Sequence, residues 1–187
     1  MSVCDSRISE AQIRKFPNEA WNYTFGISII IISSLATIEN LVILILYFKH
    51  KDLRTTPNRI LLSIVASDLL TGITVGPLFA GVLLDEAVAE ICSVNVIRNY
   101  FAVLFMGTSA YSVAFLAIHR SLKMRYGLNI QLSRALIYGV LAMIWVVFVI
   151  FPTISLLSVH YTAFVIYALG VLAIIILMCS YFSYQGP

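Results

Sequence analysis

The sequence predicts an all-α membrane protein, a transmembrane bundle of long helices. The first observation is composition: 60% of the residues are hydrophobic and 11% are charged, against roughly 45–50% and 25% in soluble domains. The second is that the apolar residues form runs of the roughly 20 residues that a helix needs to cross the hydrocarbon core. Because backbone polar groups cannot stay unpaired in lipid, such runs must be helices. Strands of a membrane barrel would be about half as long.

Five runs have this length, and together they predict one transmembrane bundle over residues 21–187. An N-terminal tail, residues 1–20, precedes helices predicted at 21–48, 57–84, 94–120, 135–159 and 161–184. The tail contains no cleavable signal peptide, so we expect the first helix to act as a signal anchor. In the second helix, Gly72 and Gly76 predict close packing against a neighbouring helix, or a bend together with Pro77.

The basic residues predict the orientation of the bundle, because Lys and Arg favour cytoplasmic loops. The connections between the first and second runs and between the third and fourth runs, taken together with the adjoining helix ends, contain eight cations and one acid, Asp52. The cations are Lys49, Lys51, Arg54, Arg59, Arg120, Lys123, Arg125 and Arg134. The connection between the second and third runs, residues 85–93, carries three acids and no cation. The N-terminus is therefore predicted to lie outside the cell and the chain to reside in the plasma membrane.

Cysteines and other reactive residues give weaker signals. Cys4 and Cys92 both fall on the predicted outer side, where a disulfide is chemically allowed, and Cys179 lies in the fifth helix. Without a CxxC or a His-rich spacing, three cysteines predict no metal site. No nucleophile and base pair appears, so neither an enzyme nor a nucleic-acid partner is expected. Asn22 begins an N-glycosylation sequon beside the first helix.

Polar residues inside the membrane are costly and mark functional candidates. Asn40, Asp68 and Ser109 come from three helices and lie at a similar depth from the inner face. They could share a water network or a small cation, or each could hydrogen-bond a neighbouring backbone. Arg120, beside His119 at the inner end of the third helix, could either snorkel to lipid headgroups or bind another helix.

With these residues in place, the chain resembles the rhodopsin-like (class A) G protein-coupled receptors. Asn40 matches the Asn of the first-helix motif, Asp68 the Asp of a second-helix S-L-A-x-A-D-L-L pattern, and Arg120 the central Arg of D-R-Y. Asn40 and Asp68 are 28 positions apart, and Asp68 and Arg120 are 52 apart, the intervals that the family shows. Trp145 matches the fourth-helix Trp and Tyr181 the fifth-helix Tyr.

The resemblance implies that an extracellular ligand shifts a helix-bundle equilibrium that a cytoplasmic heterotrimeric G protein reads. It implies a sodium and water site, with no other cofactor, at Asn40, Asp68 and Ser109. It implies a switch facing the G protein at His119, Arg120 and Tyr181, and structural roles for Trp145, Pro77 and Pro152. A ligand pocket is expected at Arg98, Asn99 and Ala102. Amine receptors carry an Asp where Ala102 stands, so the ligand should not be an amine. Arg98 and Asn99 could meet an anion, as in related lipid receptors, or Arg98 could snorkel to the outer interface.

Departures from the family pattern limit this interpretation. His119 replaces the acid that pairs with the Arg, so we expect a weaker inactive latch and raised basal activity. The Glu39–Asn40 pair and the short link between the fourth and fifth helices are similar to the melanocortin receptors, within a melanocortin, adenosine and lysophospholipid receptor group. The sixth and seventh helices do not follow before Pro187, so we expect the chain as written not to signal. Two alternatives stay open: a truncated isoform that acts on a full-length partner, and a fragment of an ion-coupled carrier.

Overall fold

The computed structural model describes residues 19–126 and 133–155, and helices account for nearly all of them. The helices are α1 (Glu19–Lys49), α2 (Thr56–Leu70), α3 (Gly76–Leu84), α4 (Glu86–Glu90), α5 (Cys92–Tyr126) and α6 (Arg134–Ser155). A 3₁₀ turn, Lys51–Leu53, follows α1, and a π turn, Thr71–Val75, joins α2 to α3. The predicted all-α class is confirmed, since no strand occurs within these ranges.

Four helical segments in the described ranges are long and apolar enough to cross a membrane. They are Glu19–Lys49, Thr56–Leu84, Cys92–Arg125 and Arg134–Thr153, the second of which runs continuously through α2, the π turn and α3. These segments coincide with the first four predicted helices. The predicted helix at 161–184, the end of the fourth at 156–159 and most of the tail lie outside the described residues.

The helix α5 continues six residues past its predicted inner end, to Tyr126. The prediction stopped where the apolar run stops, but a helix does not need apolar residues once it has left the lipid. Lys123 and Arg125 lie in its last turn, where positive side chains interact favourably with the negative end of the helix dipole. The end of the apolar run in α5 therefore does not mark the end of the helix.

The π turn adapts the second span to Pro77. Proline lacks a backbone N–H and its ring clashes with the preceding turn of a regular helix. Within the turn, the N–H of Gly76 donates to the carbonyl of Thr71, five residues earlier, which is the wider spacing of a π-bulge. The helix thus continues past the proline without a break, with a π turn next to the position where the sequence allowed a bend.

Close packing between α1 and the second span is confirmed at the two glycines. A methyl group at Gly72 would overlap the side chain of Thr37, and one at Gly76 would overlap Ser33. Small residues let membrane helices approach one another at this kind of contact. Most of the remaining surface of α1 is apolar and exposed, as expected of a helix that faces lipid.

The buried core lies where α2, α5 and α6 meet. Ile60 of α2 and Ile137 of α6 are fully buried and pack with Leu141 and Ile144. A second cluster, Val75, Leu104 and Phe105, continues the core toward the outer side and contacts Phe101, Ala102, Trp145 and Phe148. These contacts fix α5 against both neighbours, and with it the faces on which its polar side chains lie.

Candidate ligand and switch sites

A polar contact joins three helices in the middle of the bundle. The indole Nε1 of Trp145 donates to the Oγ of Ser63 at 3.0 Å, and Ser63 Oγ lies 3.1 Å from Ser112 Oγ. Ser63 and Ser112 are both buried. Trp145 of α6 is thus linked by hydrogen bonds through Ser63 of α2 to Ser112 of α5.

Most other hydroxyl groups of the second span bond to their own helix. Ser67 donates to the carbonyls of Ser63 and Ile64, Thr71 to that of Ser67, and Thr74 to that of Leu70, over 2.6 to 2.9 Å. Sequence reasoning did not select these residues, nor Ser63 as a partner. Their spacing at positions 63, 67, 71 and 74 places them along one helix face, which was the available signal.

The three residues of the predicted sodium and water site are all half-buried. The Nδ2 of Asn40 donates to the carbonyl of Ala36 at 2.8 Å, on its own helix. In the ranges 19–126 and 133–155, no hydrogen bond links Asn40, Asp68 and Ser109 to one another. The alternative in which each residue bonds a backbone therefore describes Asn40, and the cation role of the group stays a prediction.

Near the outer end of α5, Arg98 is buried rather than snorkelling, with 7% of its surface exposed. Its guanidinium lies over the ring of Phe79, 5.1 Å from the centroid. Nε and Nη2 donate to the Oδ1 of Asn99 at 3.3 and 3.0 Å, while Nη1 is buried without a partner. Of the two alternatives for Arg98, snorkelling is the one that this burial disfavours, because an aromatic ring of α3 covers the side chain.

The other two residues of the predicted ligand pocket lie in different surroundings. Asn99 contacts Arg98 and is exposed, whereas Ala102 packs against the outer core cluster of Val75, Leu104 and Phe105. Asn95, a residue that the sequence did not suggest, lies one turn before Arg98 on α5. Its Nδ2 donates to the carbonyls of Ala89 and Ile91 at 2.7 and 3.3 Å, and its Oδ1 is buried without a donor.

At the inner end of α5, His119 and Arg120 have opposite environments. His119 is 6% exposed and its Nδ1 is buried with no hydrogen-bond partner. Arg120, the next residue, is exposed, so its guanidinium is accessible to solvent. Arg59 near the start of α2 lies over the ring of Tyr138 in α6, 5.7 Å from the centroid. Tyr181, the third predicted switch residue, lies outside the described residues.

Two further predicted positions lie toward the outer ends of the helices. Cys92, the first residue of α5, is disulfide-bonded, and Cys4 and Cys179 both lie outside the described residues. Asn22 lies within the first turn of α1 and is 6% exposed. Because glycosylation needs an accessible surface asparagine, this burial counts against its modification, which stays untested. Pro152 is buried inside α6.

Comparisons with known proteins agree with this arrangement. The family model described as 7 transmembrane receptor (rhodopsin family) matches residues 39–165. Melanopsin-B of Xenopus laevis is 32% identical over 99 residues, which cover 52% of this chain and 18% of that protein. No solved structure gives a significant match. The matched region begins at Glu39, includes Asp68, Arg98, Arg120 and Trp145, and covers more than half of the chain. The chain therefore belongs to the rhodopsin family of seven-transmembrane receptors.

Proposed function

We propose that these helices bind an extracellular ligand and transmit its presence to a heterotrimeric G protein. The observation that carries the proposal is the pair of arginines on α5. Arg98 is buried at the outer end and Arg120 is exposed at the inner end, 22 positions later. At 1.5 Å per residue this separation is about 33 Å, close to the ~30 Å thickness of the hydrocarbon core. One continuous helix therefore connects the two faces of the membrane.

The distribution of charge supports an extracellular N-terminus and a plasma-membrane location. Arg59 and Tyr138 meet at one end of the bundle, and Arg98 and Phe79 meet at the other. The end with Arg59 carries the eight cations and Asp52, and the end with Arg98 carries the acids of residues 85–93. By the positive-inside rule, the end with Arg59 is cytoplasmic.

The environment of Arg98 argues against an amine ligand. A cationic ligand needs a carboxylate or another source of negative charge, and a buried guanidinium would repel it. Within the described ranges, Arg98 has an amide and an aromatic ring as neighbours and no carboxylate partner. The pocket is therefore proposed to comprise Arg98 and Asn99, with Ala102 contributing only to the packing beneath it.

The proposed sodium site has the kinds of oxygen atoms that a cation needs. Carboxylate, amide and hydroxyl oxygens are the ligands that hard cations take, and Asp68, Asn40 and Ser109 supply one of each. Asn40 uses its Nδ2 in the bond to Ala36, so its Oδ1 stays available for a cation. In the described part of the chain the carboxylate of Asp68 makes no hydrogen bond, although its backbone carbonyl accepts from the N–H of Thr71, so the carboxylate is available to a cation as well.

The function is tested by measuring basal nucleotide exchange on a G protein in membranes that contain the protein. Removing a charged hydrogen-bonding group that contacts the partner costs about 1.5–3 kcal/mol, so Arg120→Ala should reduce exchange by roughly tenfold or more. Lys123→Ala, an exposed cation one turn further along α5, is the matched control and should change exchange little. Equal rates for the two variants would contradict the role of Arg120.

A further inference from the structure

The outer end of α5 contains two buried polar atoms of opposite hydrogen-bonding character. Arg98 Nη1 is a donor without an acceptor, and Asn95 Oδ1 is an acceptor without a donor. The residues are three positions apart, so both side chains lie on the same helix face, about 4.5 Å apart along the axis. No hydrogen bond joins these two atoms.

The surrounding contacts hold both side chains in place. Phe79 lies against the guanidinium, and Asn99 accepts from two of its nitrogens, so Nη1 is the remaining donor position. The Nδ2 of Asn95 is committed to the carbonyls of Ala89 and Ile91, which fixes its Oδ1. The acceptor and the donor are thus oriented by bonds that do not involve each other.

Leaving these two buried atoms without hydrogen-bond partners destabilises the folded chain unless another molecule bonds to them. A buried polar group without a partner loses on the order of 1–3 kcal/mol, and more when it is charged. In the described part of the chain, no carboxylate neutralises Arg98, although its side chain is almost entirely buried. A ligand with both an anionic group and a hydrogen-bond donor would satisfy the guanidinium of Arg98 and the Oδ1 of Asn95 at the same time.

We propose that Asn95 and Arg98 bind an organic acid that carries a hydroxyl group next to its carboxylate. The carboxylate would accept from Nη1 of Arg98, and the hydroxyl would donate to Oδ1 of Asn95. This inference rests on the proposed function in one respect only, that the outer end of the bundle binds a ligand. It adds Asn95 as the residue that selects among anions.

The test compares two probes that differ by one hydroxyl group: mandelate, which has it, and phenylacetate, which does not. Binding to the purified chain in lipid nanodiscs is measured by saturation-transfer NMR. We expect mandelate to bind about tenfold more tightly, the effect of one additional buried hydrogen bond. Asn95→Leu should remove this preference, and Arg98→Gln should abolish binding of both acids.

Two further variants guard against misfolding as an explanation. Asn95→Asp places a carboxylate beside Arg98, so it should raise the thermal stability of the chain while preventing both acids from binding. Arg59→Gln removes the cation that lies over Tyr138 at the opposite end of the bundle, and it should leave binding of both acids unchanged.

The outcomes separate this inference from the proposed function. Equal binding of the two acids, lost in Arg98→Gln, would overturn the role of Asn95 and leave an anion pocket intact. Failure of both acids to bind, or binding in Asn95→Asp as in the unaltered chain, would overturn the site as a whole. The nucleotide-exchange comparison of Arg120 and Lys123 does not depend on any of these results.

Discussion

Trp145 and Ser63, 82 positions apart in the chain, are joined by a partly buried hydrogen bond of 3.0 Å. Ser63 also lies 3.1 Å from Ser112, so the same hydroxyl group connects three helices. Serine and tryptophan are placed here because a polar atom in the membrane interior requires a partner. The contact fixes the rotation of α2 relative to α6, and with it the faces on which the other polar residues lie.

A double-mutant cycle between Trp145→Phe and Ser63→Ala should detect this bond. Interhelical side-chain hydrogen bonds in membranes contribute about 0.6 kcal/mol on average, and we expect a coupling energy of that order in the free energy of unfolding. Denaturation of the chain by sodium dodecyl sulfate, titrated into lipid–detergent micelles, gives the four values. Ser67→Ala is the control, because its hydroxyl bonds only to its own helix. If Trp145 couples equally to Ser63 and Ser67, the bond has no special role.

Packing between α5 and α6 should be sensitive at Gly107. A methyl group there would overlap the ring of Phe148, whereas a methyl at Gly139 of α6 would meet nothing within 4 Å. Overpacking of this kind costs about 1–3 kcal/mol, so Gly107→Ala should lower the free energy of unfolding by that amount. Gly139→Ala, the same chemical change at an open position, should be neutral or slightly stabilising.

A second substitution tests whether the ring of Phe148 causes the loss of stability in Gly107→Ala. Phe148→Leu removes the part of the ring that the new methyl group would meet, and it should restore part of the stability lost in Gly107→Ala. The ring of Phe148 also makes an edge contact with Tyr111, with the ring centroids 5.0 Å apart, so complete recovery is not expected. Equal losses in Gly107→Ala with and without Phe148→Leu would show that the ring is not the cause.

The sequence predicts the helices of this chain better than it predicts their contacts. Hydropathy over some 20 residues depends on the chain alone, which is why the four described spans lie where the apolar runs are. The burial of Arg98 depends on Phe79, a residue of another helix. The sequence does not indicate which helix faces contact each other. An arginine near a membrane boundary usually snorkels, so its burial could not be predicted without α3.

The contacts of Asn95 and Ser112, both on α5, could not be predicted from the sequence either. Both are polar residues of a kind that occurs throughout this sequence, and neither belongs to the motifs that the family resemblance provides. Asn95 becomes notable because its Oδ1 is buried and unpaired, and Ser112 because Ser63 lies opposite. Asp68 and Asn40, in contrast, could be selected from the sequence, first as polar residues inside membrane helices and then by the family motifs.

The neutral side chain next to Arg120 should affect basal signalling. A carboxylate at position 119, which is buried, would lie beside the exposed guanidinium of Arg120 and favour the inactive arrangement by pairing with it. Because the guanidinium stays in contact with water, we take the contribution of the pair to be that of surface pairs, about 0.2–1 kcal/mol. His119→Asp should therefore lower basal nucleotide exchange by up to roughly fivefold. His119→Asn, which has a similar shape and no charge, is the control. Equal effects of the two substitutions would show that charge pairing with Arg120 is not the cause.

The disulfide at Cys92 should connect the top of α5 to the N-terminal tail. Cys92 is the first residue of α5 and is disulfide-bonded, and the chain has two other cysteines, Cys4 and Cys179. The sequence places Cys4 on the outer side and Cys179 near the inner end of the predicted fifth helix, and a disulfide requires Cα atoms within about 7 Å. Cys4 is therefore the expected partner.

Labelling of intact cells with a membrane-impermeant maleimide distinguishes the two candidates. In Cys4→Ser the thiol of Cys92 is released at the outer face, so labelling at Cys92 should rise from near zero to most of the protein. In Cys179→Ser it should stay near zero. Labelling of Cys92 in Cys179→Ser, with none in Cys4→Ser, would assign the bond to Cys179, and the outer end of α5 would then have to lie against the predicted fifth helix rather than beneath the tail.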